Sequence, residues 1–376
     1  MPPNRSVLRG VQQRIHRWLM AARAHPRYRI FAPTLDALDT FLARPGQVTS
    51  AAPHIRSHWD LKRYMIIVVL ALIPCALTGI YLYGWRVAAV IAVSYAFGLG
   101  TEAAFAGIKN ESMTEGAFVT CMLFPLTLPP TIPLWTVAVG IVFAIVFVKE
   151  IFGGTGRNLF NPALGGRCFI YLVFPQHLHG QVWPMPYTGG WGGFGHWMWN
   201  GAHRGFDALT AATAASAWKV AEVPVAEFTI RDMVLGVIPG SIGESPKILI
   251  VCAAILLIGV KVADWRLVVS PIIGALAMSA LLHHTTGGWA PAPHLALVSG
   301  SLLFGATFMT TDPVSAPAMA PSKWIYGLAI GMTAILIRVY STTFPQGLMF
   351  AILLVNPFSP LLDYLFRTLR FRRHRA

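Results

Sequence analysis

Residues 64–83 read Tyr-Met-Ile-Ile-Val-Val-Leu-Ala-Leu-Ile-Pro-Cys-Ala-Leu-Thr-Gly-Ile-Tyr-Leu-Tyr, twenty positions without one charged side chain. Twenty residues of helix rise about 30 Å, which is the thickness of the hydrocarbon core of a bilayer. Nine further apolar windows of comparable length follow, at residues 86–108, 116–131, 133–150, 158–175, 246–263, 266–283, 294–311, 323–340 and 346–365. The sequence therefore predicts an all-α polytopic membrane protein with about ten transmembrane helices.

The composition and the placement of charge support this interpretation. Hydrophobic residues make up 55% of the 376 positions and charged residues only 12%, about half the usual charged share of a soluble domain. The net charge is +14, but eleven of the 29 Lys and Arg lie in residues 1–63 and five in residues 367–376. Basic flanks stay in the cytoplasm, so we expect two cytoplasmic termini, an even number of crossings and no nucleic-acid partner.

Prolines interrupt or bound three of the windows. Pro125, Pro129 and Pro130 lie at the end of the third window, Pro162 in the fifth, and Pro313 just beyond the eighth. Proline removes a backbone donor and ends or kinks a helix, and a broken helix is tolerated at membrane depth where protein surrounds it. We expect broken helices at these three positions.

Short motifs recur between the two halves of the chain. Trp85-Arg86 before the second window is echoed by Trp265-Arg266 before the seventh, Trp135 by Trp324, and Asn161-Pro162 by Asn356-Pro357. A duplicated unit of five helices must insert the opposite way up the second time, because five is odd, and this gives an inverted repeat. The alternative is that such pairs are common interfacial and helix-breaking residues.

The expected organisation has five parts. They are a basic cytoplasmic arm at 1–63, a first repeat of five helices at 64–175, a periplasmic loop at 176–245, a second repeat of five helices at 246–365 and a basic cytoplasmic tail at 366–376. Cys75, Cys121, Cys168 and Cys252 fall singly within apolar windows, without the spacing of metal ligands. We interpret them as small core residues and expect no metal site.

The loop contains the stretch Asp207-Ala-Leu-Thr210-Ala-Ala212-Thr213. A threonine hydroxyl can be joined to the phosphate of FMN as a phosphoester, provided that small neighbours and an acid give an enzyme access to it. The preceding glycine and tryptophan run at 189–199 leaves backbone room and offers flat rings at the membrane surface. The pattern suits either a flavin or simple interfacial anchoring.

That stretch resembles the flavinylation motif of the NqrB/RnfD family, the membrane subunits of sodium-translocating NADH:quinone oxidoreductases and of Rnf complexes. The similarity extends over roughly residues 54–365, and its most distinctive segments are 54–63, 114–120, 129–135, 149–164, 238–244, 306–315 and 323–327. It implies covalent FMN on Thr213, with Asp207, Thr210 and Ala212 as the rest of the motif. No catalytic acid, base or nucleophile is needed, because the cofactors carry the chemistry.

The resemblance also implies further cofactors and partners. These are a non-covalent riboflavin, ubiquinone as substrate, Na⁺ as the transported ion, a flavin transferase for maturation and the other subunits of the complex, counterparts of NqrA, NqrC, NqrD, NqrE and NqrF. The location implied is the bacterial inner membrane. Glycine turns at 153–156 before the broken fifth helix form a candidate backbone nest for a ligand.

Glu102 lies well inside the second window. An ionised side chain at mid-membrane costs about 2.5–3.5 kcal/mol on insertion scales, so Glu102 requires a partner. The resemblance ties Glu102 and Gly98 to cation uptake and quinone access, whereas the alternative is an ion pair that serves packing. Glu115, Glu150, Asp312 and Asp363 lie near predicted cytoplasmic ends, where solvation is the simpler explanation.

Two alternative functions stay open. An Rnf complex would use the same flavin but take its electrons from ferredoxin, although the long basic arm favours the NADH:quinone oxidoreductase. A solute channel or transporter would use the same inverted repeat with broken helices and no flavin.

Overall fold

A computed structural model describes residues 61–109, 113–178, 183–184, 186, 192–195, 197, 230–245, 247–287, 290–341 and 347–375. The regular structure of these residues is helical, and they form no β-strand. The predicted all-α class is therefore confirmed for them. The basic arm before Leu61 and the motif Asp207–Thr213 lie outside the described residues.

The helices are numbered here in chain order. The first half has α1 (Leu61–Tyr83), α2 (Arg86–Lys109), α3 (Gly116–Leu126), α4 (Leu134–Phe143) continued by a π-helix (Ala144–Glu150), and α5 (Pro162–Val173). The second half has α6 (Ile230–Leu235), α7 (Lys247–Gly259), α8 (Trp265–Thr285), α9 (Pro293–Val298), α10 (Leu302–Phe308), α11 (Ala320–Tyr340), α12 (Gly347–Val355) and α13 (Ser359–Arg375).

Five of these helical segments are long and apolar enough to cross a membrane. They are Tyr64–Tyr83, Arg86–Lys109, Trp265–Thr285, Ala320–Tyr340 and Gly347–Arg370. Three others, α3, α5 and α7, are apolar but only 11, 12 and 13 residues long. The ten predicted windows are therefore not ten continuous spanning helices, and the ten-helix inverted repeat stays a prediction.

Two of the expected interruptions are confirmed. Helix α3 ends at Leu126, before the prolines at 129 and 130. Helix α5 begins at Pro162, where Asn161 caps it by accepting hydrogen bonds from the amides of Ala163 and Leu164. The eighth window is also broken, but between α9 and α10 at residues 299–301 rather than at Pro313.

The two halves pair their helices in the same way. In the first half α2 packs against α3 and α4, α4 packs against α5, and α3 packs against both α1 and α5. In the second half α8 packs against α9, α10 and α11, α11 packs against α12, and α10 packs against both α7 and α12. The halves meet where α1 contacts α7 and α5 contacts α12.

A non-helical segment enters the centre of this arrangement. Residues 236–245, which end the stretch expected as the outer loop, are almost all buried. The amide of Ile242 donates to the carbonyl of Leu128 at 3.1 Å, and the amide of Gly243 donates to that of Leu126 at 2.8 Å. The segment thereby satisfies carbonyls that the end of α3 leaves without helical partners.

Two basic side chains donate hydrogen bonds to backbone carbonyls at the break between α9 and α10. The ammonium of Lys247 donates to the carbonyls of Glu244 at 2.8 Å and Gly300 at 2.7 Å. Nη1 of Arg338 donates to the carbonyls of Ala296 and Ser299, each at 3.2 Å. Both side chains are almost completely buried. The carbonyls that the break exposes are thus paired with charged donors rather than with water.

We expect Lys247→Met to lower the stability of the protein markedly. Methionine has a similar length but no donor, so the Glu244 and Gly300 carbonyls lose their partner at about 1–3 kcal/mol for each buried group left unsatisfied. Thermal unfolding of the purified protein in detergent measures the loss. The matched control is Lys261→Met, at an exposed lysine, which should leave the unfolding temperature unchanged; equal effects in the two variants would contradict this role for Lys247.

Glycines allow α8 and α11 to pack closely. A Cβ atom at Gly331 would lie 2.0 Å from the Pro271 carbonyl oxygen, and one at Gly327 would lie 1.7 Å from Oγ of Ser270. Small residues four positions apart are the usual means by which membrane helices bring their backbones together. Helices α8 and α11 therefore form one closely packed pair.

We expect Gly331→Ala to destabilise the protein by about 1–3 kcal/mol, because the added methyl group forces the two backbones apart. Gly100→Ala on α2 is the control, since a Cβ atom there meets nothing within 4 Å and alanine favours a helix over glycine by about 1 kcal/mol. Unfolding temperatures of the two variants, compared with the unmodified protein, provide the measurement. If Gly331→Ala unfolds at the same temperature as the unmodified protein, the close approach of α8 and α11 at this point is not needed for stability.

Candidate functional site

A buried ion pair joins α2 to the π-helix. Glu102 and Lys149 are 3% and 2% exposed, and Nζ of Lys149 lies 2.6 Å from Oε1 of Glu102. Lys149 also donates to the hydroxyl of Thr114 at 2.9 Å, and that hydroxyl lies 2.7 Å from the same carboxylate oxygen. Glu102 therefore has the partner that its position in the apolar window requires, and this partner comes from another helix.

The second oxygen of Glu102 is different. Oε2 is buried and has no hydrogen-bond partner among the described residues. A buried carboxylate oxygen without a donor is costly. The site is consequently incomplete as it stands, with one carboxylate oxygen able to accept a further ligand.

A second ion pair lies next to the first. Glu150 follows Lys149 directly at the end of the π-helix, and its Oε2 lies 2.6 Å from Nζ of Lys109. Nζ of Lys149 is also 4.0 Å from Oε1 of Glu150. A π-helix is a wider turn that is often found at functional sites, and here its last two residues form adjoining ion pairs with two positions of α2.

A polar cavity of about 220 Å³ opens beside these pairs. Its walls include Glu102, Lys109, Thr114, Glu150, Thr155 and Arg157. Gly153, Gly154 and Gly156 follow the π-helix with positive φ angles of 103°, 87° and 95°, a backbone conformation that glycine adopts without strain. Gly153 and Gly154 line the cavity, but their amides donate to the carbonyls of Glu150 and Lys149, so the ligand-binding backbone nest stays a prediction.

An apolar cleft lies on the other side of Lys149. It is narrow, since water-sized molecules can occupy only about 60 Å³ of it. Most of its lining is apolar, and its polar groups come from Tyr64, Thr120, Lys149, Thr155, Asn158, Asn161, Thr311 and Asp312. Apolar walls with a few convergent polar groups are typical of sites for a planar organic ligand.

The cleft adjoins a larger open cavity of about 470 Å³, which includes Lys261, Asp264, Arg266 and Lys323 in its lining. Asp264 caps α8, and its Oδ2 lies 2.7 Å from Nζ of Lys323. Partial burial opposes ionisation of Asp264, but the hydrogen bonds from Lys323 and from the Arg266 amide outweigh it, so its pKa lies below the ordinary value. The resulting stabilisation is present above the ordinary aspartate pKa and is lost as the pH falls through the lowered pKa.

Gly98 lies one turn before Glu102 on α2 and serves close packing. A Cβ atom there would lie 2.4 Å from Sγ of Cys121 and 3.0 Å from Ile141. The absence of a side chain at Gly98 therefore lets α2 approach α3 and α4. The expected link between Gly98 and quinone access remains a prediction.

The other predicted acids mainly bind backbone groups. Asp312 accepts hydrogen bonds from the Val314 amide and the Ser315 hydroxyl. Asp363 accepts from the amides of Ala318 and Met319, just before α11 begins. Glu150 instead forms the ion pair with Lys109. Cys75 and Cys121 are buried as expected, whereas Cys168 is partly buried and Cys252 is exposed on α7.

The opposite end of α2 holds part of the glycine and tryptophan run. The amide of Arg86 donates to the carbonyl of Trp197 at 2.9 Å, and Nε1 of Trp85 donates to the carbonyl of Phe194 at 3.0 Å. A Cβ atom at Gly193 would lie 2.5 Å from the Gly84 amide nitrogen, so only glycine fits there. Sixteen residues of α2 separate Arg86 from Glu102, about 24 Å of helix. Residues 192–195 and 197 therefore lie at the opposite end of α2 from the Glu102 site.

Sequence reasoning did not single out four buried charges at the centre. Arg167, Glu244, Lys247 and Arg338 are each at most 6% exposed, and Arg167, Ser241 and Glu244 line a small cavity beside the 236–245 segment. Charges isolated within the fifth, sixth and ninth apolar windows are the signal that could have identified three of them.

We expect Gly98→Ala to destabilise the packing of α2 against α3 by about 1–3 kcal/mol. The double variant Gly98→Ala/Cys121→Ala should recover much of the loss, because it removes the Sγ atom that the new methyl group meets. Unfolding temperatures of both variants and of the unmodified protein provide the measurement. If the double variant is no more stable than Gly98→Ala, the contact with Cys121 is not the cause of the loss.

Known proteins resemble this chain over most of its length. The sequence profile of the NQR2, RnfD, RnfE family matches residues 48–372. The B subunits of several Na(+)-translocating NADH-quinone reductases are similar over most of the chain. That of Pseudomonas aeruginosa is 36% identical over 388 positions, covering 90% of this chain and 92% of the relative. That of Azotobacter vinelandii is 36% identical over 377 positions, covering 88% and 90%, and that of Klebsiella pneumoniae is 35% identical over 411 positions, covering 92% and 94%. The chain therefore belongs to the NQR2, RnfD, RnfE family of membrane proteins.

Proposed function

We propose that this chain is the corresponding membrane component, the B subunit, of a sodium-translocating NADH:quinone oxidoreductase. The supporting observation is the likeness to proteins of that name over about nine-tenths of both chains. The apolar helices and the buried charges fit a membrane subunit, and no nucleic-acid partner is proposed. The other subunits of the complex and a flavin transferase are its proposed partners.

Covalent FMN on Thr213 is the central part of the proposal. Asp207, Thr210 and Ala212 complete the motif, and the loop that carries it begins against the ends of α1 and α2, at Tyr81 and Trp85. We place this side outside the cytoplasm, since the basic arm precedes the other end of α1. Thr213 would supply the phosphoester oxygen, and the aromatic and glycine run would hold the loop at the membrane surface.

Riboflavin fits the apolar cleft chemically. Its walls match an uncharged aromatic ring, and the side chains of Thr120, Thr155 and Asn158 offer hydroxyl and amide groups to polar edges or ribityl hydroxyls. Because the cleft is narrow, its walls have to move apart to admit the isoalloxazine ring of riboflavin. A flavin supplies one-electron transfer, while the protein sets its position and its electrostatic surroundings.

Ubiquinone reduction and Na⁺ translocation complete the proposal. Electrons would enter on the Thr213 side and leave towards the cytoplasmic side, where Glu102 and Gly98 are the proposed ion and quinone residues. The equivalent helix pairings in the two halves support an inverted repeat of five helices each, with both termini in the cytoplasm of a bacterial inner membrane.

An Rnf complex fed by ferredoxin is the second candidate, because the matching family includes RnfD. The identity of the subunits that co-purify with the chain distinguishes the two. An NADH-oxidising flavoprotein partner supports the first candidate, and a ferredoxin-oxidising partner supports the second.

We expect the chain, expressed with a flavin transferase, to retain flavin fluorescence on a denaturing gel. Thr213→Ala should abolish this fluorescence and the corresponding mass increase of the peptide that contains residue 213, because no hydroxyl remains to form the ester. Ser216→Ala is the matched control, since it removes a nearby hydroxyl outside the motif and should leave the fluorescence unchanged. A bare Thr213 in protein purified from its native host would contradict the proposal and favour a solute transporter.

A further inference from the structure

Lys149 lies between the two cavities of the site. Its side chain lines the apolar cleft, while its ammonium bonds to Glu102 and Thr114, which both line the polar cavity. Thr155 lines both cavities. A movement of one lysine side chain can therefore transfer a positive charge from one cavity to the other.

The ammonium occupies a position built from oxygen atoms. Oε1 of Glu102 lies 2.6 Å from Nζ, Oγ1 of Thr114 lies 2.9 Å from it, and Oγ1 of Thr155 lies 2.6 Å from that of Thr114. Oε2 of Glu102 is buried beside them, without a partner among the residues that the structure describes. Carboxylate and hydroxyl oxygens are ligands that hard cations prefer, and the polar cavity gives access to them.

From this geometry we infer that Lys149 is a tethered occupant of an alkali-cation site at Glu102, and that Na⁺ binds there only after the ammonium has moved towards the cleft. Two cations cannot share one buried carboxylate, because like charges a few ångströms apart repel strongly where the dielectric constant is low. The four-carbon stem of lysine is flexible enough for the ammonium to leave without any backbone change.

The event that moves the ammonium is negative charge in the cleft. This step rests on the proposed function, in which electrons pass through a cofactor there. Negative charge in the cleft attracts the ammonium that lines it, and Glu102 is then left with its charge uncompensated. A cation from the polar cavity restores the balance, so one electron entering the cleft is matched by one cation entering the site.

The test is equilibrium binding of ²²Na⁺ to the purified, oxidised complex. Lys149→Met should bind Na⁺ at least about tenfold more tightly than the unmodified complex. In the unmodified complex the apparent dissociation constant is the intrinsic one divided by the small fraction of molecules whose site is vacant, and the variant removes that factor. Lys149→Met/Glu102→Gln should lose this gain. Lys261→Met is the control, since this exposed lysine lines neither the polar cavity nor the cleft, and should bind Na⁺ as the unmodified complex does.

A second variant keeps the inference testable if Lys149→Met fails to assemble. Lys149→Arg retains the charge and can pair with Glu102 through two donors, so it should raise the Na⁺ concentration for half-maximal quinone reduction several-fold, whereas Lys261→Arg, outside both cavities, should not. Unchanged Na⁺ affinity in Lys149→Met, or an unchanged Na⁺ requirement in Lys149→Arg, overturns the inference.

These outcomes are separable from failure of the proposed function. The unmodified complex must show Thr213-linked flavin fluorescence and NADH-driven quinone reduction stimulated by Na⁺. If it shows both while the Lys149 variants behave like the unmodified complex, only the role of Lys149 is refuted. If the unmodified complex shows neither, the proposed function is refuted as well.

Discussion

Every helix that ends inside an apolar layer leaves backbone groups that water cannot satisfy, and the architecture of this protein depends on how they are paired. The carbonyls at the end of α3 accept hydrogen bonds from the amides of Ile242 and Gly243. At the break between α9 and α10, the side chains of Lys247 and Arg338 donate to the carbonyls of Gly300 and Ser299. Each interrupted segment thus supplies hydrogen-bond donors for the free carbonyls of another. Removing the Lys247 ammonium, for example, leaves the carbonyls of Glu244 and Gly300 without their donor.

The same interruptions create the functional site. Because α5 starts only at Pro162, the chain between it and the π-helix turns through three glycines and leaves room for the polar cavity on one side and the apolar cleft on the other. Glu102 and Lys149 are held at the boundary by α2 and the π-helix. In the proposed function, a redox cofactor in the cleft and an ion at Glu102 would be separated by a single side chain, that of Lys149.

Much of the fold could be predicted because hydropathy over about twenty residues reports directly on helices in lipid. The breaks in the third and fifth windows were also predictable, since the adjacent prolines at 129 and 130 favour a helix end and Pro162 after Asn161 favours a helix start. The short α7 carries no such signal, because its window is apolar throughout. The break at residues 299–301 does carry one, Ser299-Gly300-Ser301 with Gly300 at positive φ, which hydropathy alone does not register. The pairing of Glu102 with Lys149, 47 positions apart, could not be inferred from one sequence, because it depends on which helices are neighbours. The Thr213 motif rests on sequence alone, since it lies outside the residues that the structure describes.

The four charges near the centre have a consequence for permeation. Arg167, Lys247 and Arg338 outnumber Glu244 in a region with little water to screen them, so the electrostatic potential there is positive. A bare sodium ion in this region would meet an electrostatic barrier of the kind that excludes cations from selective pores. If electrons and sodium move through this chain as proposed, the barrier would oppose passive leak of sodium through the centre and direct the translocated ion along a path beside it.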